Sequence, residues 1–213
     1  METISLTAGN IGEAVGRAAE VLRAGGVVLY PTDTLYGLGA HAFSDEAVAK
    51  VYAIKGRDEK KPVHCVVANL AMVEKYAEVN ELARSLAEKF LPGPLTLILK
   101  KNQEFTTGIA KEIETIGIRI PKNDYCLALA RAFGSPYTTT SANVAGAASE
   151  RSVAGIVAQL GERAAMIDLA IDAGELPEAL PSTVVDVSEG DIRVLREGAV
   201  PAQALFGQST EAV

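Results

Sequence analysis

The chain has 213 residues, of which 48% are hydrophobic and 22% charged, so it can bury a sizeable core and is not intrinsically disordered. Its formal net charge of −7 argues against a general nucleic-acid binder, because such proteins use Lys and Arg side chains that face phosphates. No apolar stretch approaches the roughly 20 residues of a membrane helix, and two histidines and two distant cysteines form no zinc-binding motif.

The first third of the sequence alternates helix and strand signals. Apolar residues recur every three or four positions over 11–24, which predicts an amphipathic helix with Asn10 as its N-cap. A short apolar strand over 27–30 follows, and then a loop over 31–43 that is rich in Gly, Thr and Tyr. Ser44 is the expected cap of a second helix.

The same alternation continues to the end of the chain, with Asn69 and Asn80 as expected caps of two helices. Interleaved helices and strands predict an α/β sheet covered by helices. The predicted strands lie over 63–68, 95–99, 116–120, 137–140, 165–169, 184–187 and 192–195, and two more helices over 125–133 and 153–160.

The compartment and domain organisation follow from simpler features. Cys65 and Cys126 form no CxxC motif, and residues 1–5 carry neither a basic cluster nor an apolar run. These features predict a cytoplasmic protein with free thiols. We expect one domain over 1–206, followed by a flexible tail over 207–213.

Four segments at predicted strand ends or in loops carry unusual polar groups, and open α/β sheets bind ligands at such positions. The segment 30–39 offers hydroxyls and the Asp33 carboxylate for a small polar ligand, or forms a tight turn that caps its own backbone. Lys55, Arg57 and Lys61 surround a helix C-terminus, where they suit a phosphate or simply complement the helix dipole.

The other two segments hold a buried cation and a row of hydroxyls. Strand alternation puts Arg119 on the face of Gly117, and a buried Arg needs either a carboxylate ligand or a structural acid. The run 138–143 offers four hydroxyls and an amide, or is a hydroxyl-rich turn. Ser141 stands in no GxSxG elbow and does not resemble a nucleophile. The four segments together indicate a site for a nucleotide and a small acid.

Seven motifs in one order give the chain a family resemblance. The motifs are YPTDTLYGL at 30–38, KGR at 55–57, LPGPLT at 91–96, GIRIP at 117–121, SAN at 141–143, PSTVVD at 181–186 and LREG at 195–198. With these motifs in this order, the chain resembles the YrdC-like family of threonylcarbamoyl-adenylate synthases in its single-domain form.

The resemblance implies a twisted, open mixed sheet with flanking helices around a concave basic pocket. It implies a nucleotidyltransferase that makes threonylcarbamoyl-AMP and pyrophosphate from L-threonine, bicarbonate and ATP, with Mg²⁺ accompanying the ATP. The adenylate would pass to partner proteins that modify position 37 of tRNA, so the resemblance implies little direct tRNA binding and no membrane partner.

The resemblance also implies roles for particular residues, carried over by motif position. Lys55, Arg57, Ser141 and Asn143 are the implied catalytic pocket, in which Lys55 and Arg57 stabilise charge on the pyrophosphate. The implied ATP contacts are Arg57, Lys61, Thr115, Ser141, Ser149 and Arg196. The implied threonine contacts are Thr34, Arg119, Thr139 and Ser182.

Two departures from the family pattern concern binding residues. Lys61 stands where many relatives have Asn, and Val66 where some have a threonine-contacting His, with His64 two residues away. The alternative functions are a carbamoyl-transfer module of the same fold and a non-enzymatic RNA-binding protein. The net charge of −7 disfavours the RNA-binding alternative.

Overall fold

The computed structural model describes residues 1–58, 62–103 and 105–206, and within them ten strands and seven α-helices alternate. The strands are β1 (Glu2–Ser5), β2 (Val28–Pro31), β3 (Tyr36–Gly39), β4 (His64–Val66), β5 (Leu95–Lys100), β6 (Thr115–Arg119), β7 (Tyr137–Ser141), β8 (Leu169–Asp172), β9 (Thr183–Asp186) and β10 (Arg193–Arg196). The helices are α1 (Ile11–Arg23), α2 (Asp45–Lys55), α3 (Leu70–Tyr76), α4 (Glu81–Phe90), α5 (Asp124–Phe133), α6 (Val153–Leu160) and α7 (Ala202–Leu205).

The strands form one open sheet in the order β1-β8-β2-β3-β7-β4-β6-β5-β9-β10. Four neighbouring pairs are parallel (β1 with β8, β2 with β8, β4 with β6, β5 with β9) and the other five are antiparallel, so the sheet is mixed. The predicted α/β fold with an open mixed sheet and flanking helices is confirmed. No helix in the described ranges is long and apolar enough to cross a membrane.

The centre of the sheet is covered on both faces, as β2 illustrates. Val28 and Tyr30 pack among residues of α1 and α5, whereas Leu29 packs among residues of α2 and α6. All four residues of β2 are buried. Such a strand reads as a continuous apolar run, which is why its position was evident from the sequence.

Most of the predicted caps are present. The side chains of Ser44, Asn69 and Asn80 each accept a hydrogen bond from the backbone N–H three residues on. The prediction for Asn10 was wrong: its Oδ1 accepts from Thr7 N at 2.8 Å and its Nδ2 donates to a preceding carbonyl, so the helix start has no side-chain cap.

The structure differs from the predicted strands in three places. The predicted loop over 31–43 contains β3, whose glycines 37 and 39 let its backbone lie against the ring of Tyr30, within about 3 Å of where a Cβ would stand. The predicted strand over 165–169 is wrong, because a 3₁₀ segment at Gly161–Met166 precedes β8. The edge strand β1 went unpredicted because its residues are largely exposed and carry no apolar alternation. The predicted tail over 207–213 lies outside the described residues.

Candidate active site

The four polar segments of the sequence meet in one cleft, where strand ends and loops from both halves of the sheet come together. Three guanidinium groups, those of Arg57, Arg119 and Arg196, line it beside hydroxyl groups and one imidazole. The other polar side chains of the lining are Thr32, Thr34, Tyr36, His64, Thr139, Thr140, Ser141 and Ser182. The cleft therefore offers positive charge beside neutral hydrogen-bonding groups.

The turn between β2 and β3 forms one wall and is held by Thr32. The buried Thr32 Oγ1 accepts from the backbone N–H groups of Thr34 and Leu35 at 3.0 and 3.1 Å, and it donates to Leu35 O at 2.7 Å. The turn interpretation of this segment is thus correct for Thr32. The same turn presents the Thr34 hydroxyl to the cleft.

Arg119, at the end of β6, is 5% exposed and bonds to this turn. Its Nη2 lies 2.6 Å from Asp33 Oδ1, and its Nη1 donates to Thr34 Oγ1 at 3.0 Å. Asp33 Oδ2 also accepts from the backbone N–H of Lys122. A structural acid therefore partners Arg119, but its buried Nε has no hydrogen-bond partner within the described residues. That N–H is therefore a buried donor left unpaired among the described residues.

Lys55 lies beneath the cleft lining and clamps the loop after β7. Lys55 is 2% exposed, and its ammonium donates to the carbonyl of Ser141, to Asn143 O at 3.0 Å and to Asn143 Oδ1 at 2.9 Å. Ser141 Oγ donates to the same Oδ1 at 2.6 Å, and Asn143 Nδ2 donates to Ala147 O. Burial, and then the charge of Arg57, lower the pKa of Lys55 to about 8.

Arg57 follows α2 through Gly56, whose left-handed conformation (φ 58°) ends the helix and turns the chain toward the cleft. Arg57 Nη2 donates to Pro62 O at 3.1 Å. Its Nε is buried without a hydrogen-bond partner in the described part of the chain. Like Arg119, this side chain keeps a buried donor that no described residue uses.

Arg196, on β10, closes the opposite side of the cleft. Its Nη2 donates to Ser182 O at 2.8 Å and to Ser182 Oγ at 3.2 Å, while the buried Thr96 hydroxyl lies 2.9 Å from the same Oγ. Burial, with the charges of Arg119 and Arg57, lowers the pKa of Arg196. The three guanidinium groups therefore lie in one cleft, close enough for the charges of Arg119 and Arg57 to act on Arg196.

Of the remaining predicted residues, some line this cleft or the groove beside it and others do not. Ser149 lines an adjoining groove that also includes Ser141 and Arg196. Thr115 begins β6, four residues before Arg119 on the same strand face, and does not line the cleft. Lys61 lies outside the described residues. His64 faces the cleft, whereas Val66 packs in the core.

The sequence did not predict the ion pair between Asp33 and Arg119, because 86 residues separate them. It also did not predict that the Lys55 ammonium makes three hydrogen bonds within the protein. Each cation stands among apolar residues, which predicts that it has a partner but does not identify that partner.

Comparisons with known proteins agree with this fold. The Sua5–YciO–YrdC family model, described as "Telomere recombination", matches residues 20–198. A Methanocaldococcus jannaschii relative is 41% identical over 181 residues, which are 85% of this chain and 84% of the relative. The mouse protein named threonylcarbamoyl-AMP synthase is 39% identical over 193 residues, 87% of this chain and 67% of its own.

Solved structures give the same picture. The Pyrococcus abyssi Sua5 complexed with L-threonine matches with a TM-score of 0.83 and 30% identity over 97% of this chain. This chain spans only 60% of the length of that protein. The Escherichia coli YciO structure matches with a TM-score of 0.80 and 28% identity, over 96% of this chain and 97% of that one.

Proposed function

Because this chain belongs to the Sua5–YciO–YrdC family, we propose that it is an L-threonylcarbamoyladenylate synthase. It would convert L-threonine, bicarbonate and ATP into threonylcarbamoyl-AMP and pyrophosphate. The observation that carries the proposal is the cleft, in which three guanidinium groups lie beside a hydroxyl-lined wall and two of them keep a buried N–H that has no partner among the described residues. Such a site suits polyphosphate beside a small polar acid.

The amino acid would bind at the Arg119 side of the cleft. A substrate carboxylate there can accept from the free Nε of Arg119, while Asp33 and Thr34 fix the plane of the guanidinium. Hydroxyl groups of Thr139 and Ser182 line the same cleft and can bond to the threonine side chain. The P. abyssi Sua5 structure complexed with L-threonine supports threonine as the amino acid that the cleft would take.

ATP would bind toward Arg57 and Arg196. Both guanidinium groups can face phosphate oxygens, and the groove beyond them, which Ser141 and Ser149 line, can take the rest of the nucleotide. We propose that Mg²⁺ arrives with ATP. No group of three or more His, Cys, Asp or Glu side chains in the described ranges could hold a metal ion, so phosphate oxygens would supply its ligands.

The proposed reaction needs positioning and charge stabilisation rather than a protein nucleophile. Threonine's amine takes up CO₂ from bicarbonate, and an oxygen of the resulting carbamate attacks the α-phosphorus of ATP. The bond from that phosphorus to the bridging oxygen breaks, and pyrophosphate leaves with the electron pair. Arg57 and Arg196 stabilise the growing negative charge, and the loop that Lys55 clamps keeps Ser141 in place.

Pyrophosphate release is the direct test of this proposal. Release should require threonine, bicarbonate and ATP together, and mass spectrometry should detect threonylcarbamoyl-AMP. Pyrophosphate release that is independent of threonine would refute the assigned reaction. The carbamoyl-transfer and RNA-binding alternatives both predict no threonine-dependent release.

The product's later use belongs to the same proposal. Threonylcarbamoyl-AMP would be handed to partner proteins that modify position 37 of tRNA, with little direct tRNA binding by this chain, whose net charge is −7. We further propose a cytoplasmic location. The two cysteines, Cys65 and Cys126, are buried and free, which fits a reducing compartment.

A further inference from the structure

The imidazole of His64 faces the cleft with no hydrogen bond from the described part of the protein. His64 begins β4 and stands opposite Thr139 in the neighbouring strand. Its ring lies over Gly117 of β6, where any Cβ would overlap the ring. Gly117 therefore provides the space in which the ring reaches the cleft, and both ring nitrogens remain available to a ligand.

Charged groups surround this ring from three elements of the fold. Arg57 follows α2, Arg119 ends β6 and Arg196 ends β10. Asp33, on the turn between β2 and β3, is already bonded to Arg119. Burial, followed by the charges of Arg196, Arg57 and Arg119, lowers the pKa of His64 to about 4. His64 is thus a neutral imidazole near pH 7, and it can accept a proton readily only when the surrounding positive charge is neutralised.

The proposed reaction releases one proton as the carbamate forms. Threonine's ammonium group and bicarbonate carry no net charge together, whereas their products are a carbamate anion, water and one proton. In a cleft built from arginines, that proton needs an acceptor that is neutral beforehand. His64 is the neutral basic side chain that the described lining offers.

We propose that His64 accepts the proton that threonine's ammonium group loses when the carbamate forms. This inference rests on the proposed function. Bound ATP would strengthen His64 as a base, because its phosphates neutralise the surrounding guanidinium groups that disfavour imidazolium. The nucleotide would therefore prepare the cleft for proton uptake before threonine reacts.

The first experiment is an NMR titration of the wild-type protein, which has only two histidines, His41 and His64. His41 does not line the cleft and serves as the internal reference. Inorganic pyrophosphate, as the anionic probe, should raise the pKa of His64 by at least one unit and leave that of His41 unchanged. An unchanged pKa of His64 at saturating pyrophosphate would overturn the proposal.

The second experiment compares His64→Gln with the matched variant His41→Gln. A general base typically contributes 10²–10⁴-fold, so threonine-dependent pyrophosphate release by His64→Gln should fall at least tenfold at pH 7. Its deficit should shrink toward pH 9, where more threonine carries a free amine, and a purely structural role would not produce that recovery. Thermal melts check that both variants fold.

The outcomes separate this inference from the proposed function. Wild-type activity together with equal activity of His64→Gln would overturn the role of His64 alone. A deficit that stays constant across pH would also overturn it. Absence of threonine-dependent release in the wild-type protein would instead refute the proposed function, whatever the NMR titration shows.

Discussion

Replacing Lys55 by Met should leave the protein folded but remove most of its activity. The substitution keeps the chain's length and apolar stem while deleting the ammonium that bonds to Ser141 and Asn143. Two carbonyl groups then lose their donor, and each buried unsatisfied group costs about 1–3 kcal/mol. These losses together amount to about 2–6 kcal/mol.

A gain of similar size opposes that loss. The pKa of Lys55 falls from its ordinary 10.5 to about 8 in the folded protein. At about 1.4 kcal/mol per pKa unit, the fold disfavours the ammonium by roughly 3 kcal/mol, and methionine carries no such penalty. The net destabilisation of Lys55→Met should therefore be near 1 kcal/mol, or about 2–4 °C in Tm for a chain of this size.

Activity should respond much more strongly than stability. Without its clamp, the loop that carries Ser141 can leave the cleft, and misplacement by about 1 Å can cost roughly a hundredfold in rate. Melting curves and pyrophosphate release would be measured together, with Lys75→Met, an exposed lysine of α3, as the matched control. Full activity of Lys55→Met, or a fall in stability beyond about 5 kcal/mol, would refute this reasoning.

The same variant has a predicted pH signature. Because the folded-state pKa of Lys55 lies below the unfolded value, the unfolded chain binds more protons between pH 8 and 10.5. The contribution of Lys55 to stability therefore rises with pH across that window. The Tm deficit of Lys55→Met relative to Lys75→Met should therefore grow between pH 7.5 and pH 10, and a deficit that shrinks would contradict the sign.

Four further outcomes are expected. Arg57→Ala should reduce pyrophosphate release roughly ten- to a hundredfold, since a charged hydrogen bond contributes about 1.5–3 kcal/mol; unchanged release by a folded variant would remove Arg57 from the site. Arg119→Lys keeps the charge but loses the planar fork, so it should raise KM for threonine far more than KM for ATP. Equal rises in the two KM values would identify Arg119 as structural. Valine should be rejected more strongly than serine in competition with threonine, because the hydroxyl partners would be left unpaired, and equal turnover of valine and threonine would contradict this. Gly108→Ala should lower Tm, because φ is +59° there and a Cβ would overlap the Ala42 carbonyl; an unchanged Tm would show that the turn can shift freely.

Much of the fold could be predicted from the sequence where it depends on contacts between nearby residues. The caps at Ser44, Asn69 and Asn80 were correct because each depends on one side chain and the backbone three residues on. The cap at Asn10 failed because Thr7 offered its side chain a competing partner. The start of β8 was misplaced because pairing with β1 and β2, rather than apolarity, decides which residues of that run become strand.

The candidate site was likewise predictable only in part. The sequence indicated which segments hold cations, hydroxyls and the buried arginine, because those features are properties of residue type and alternation. It left open whether Arg119 pairs with a ligand or an internal acid; the structure shows an internal acid, Asp33, on Nη2, while Nε has no hydrogen-bond partner among the described residues. Whether Arg119 and the other carried-over residues contact substrate stays a prediction.

The sequence by itself determined the class of fold, the family and the segments from which the cleft is built. Only the tertiary structure decided that Lys55 bonds within the protein and that His64, rather than Val66, faces the cleft. Residue type determines what a side chain can bind, but the binding partner can lie far away in the sequence, as Asn143 lies 88 residues from Lys55. Strand order and register determine which of those partners come within hydrogen-bonding distance.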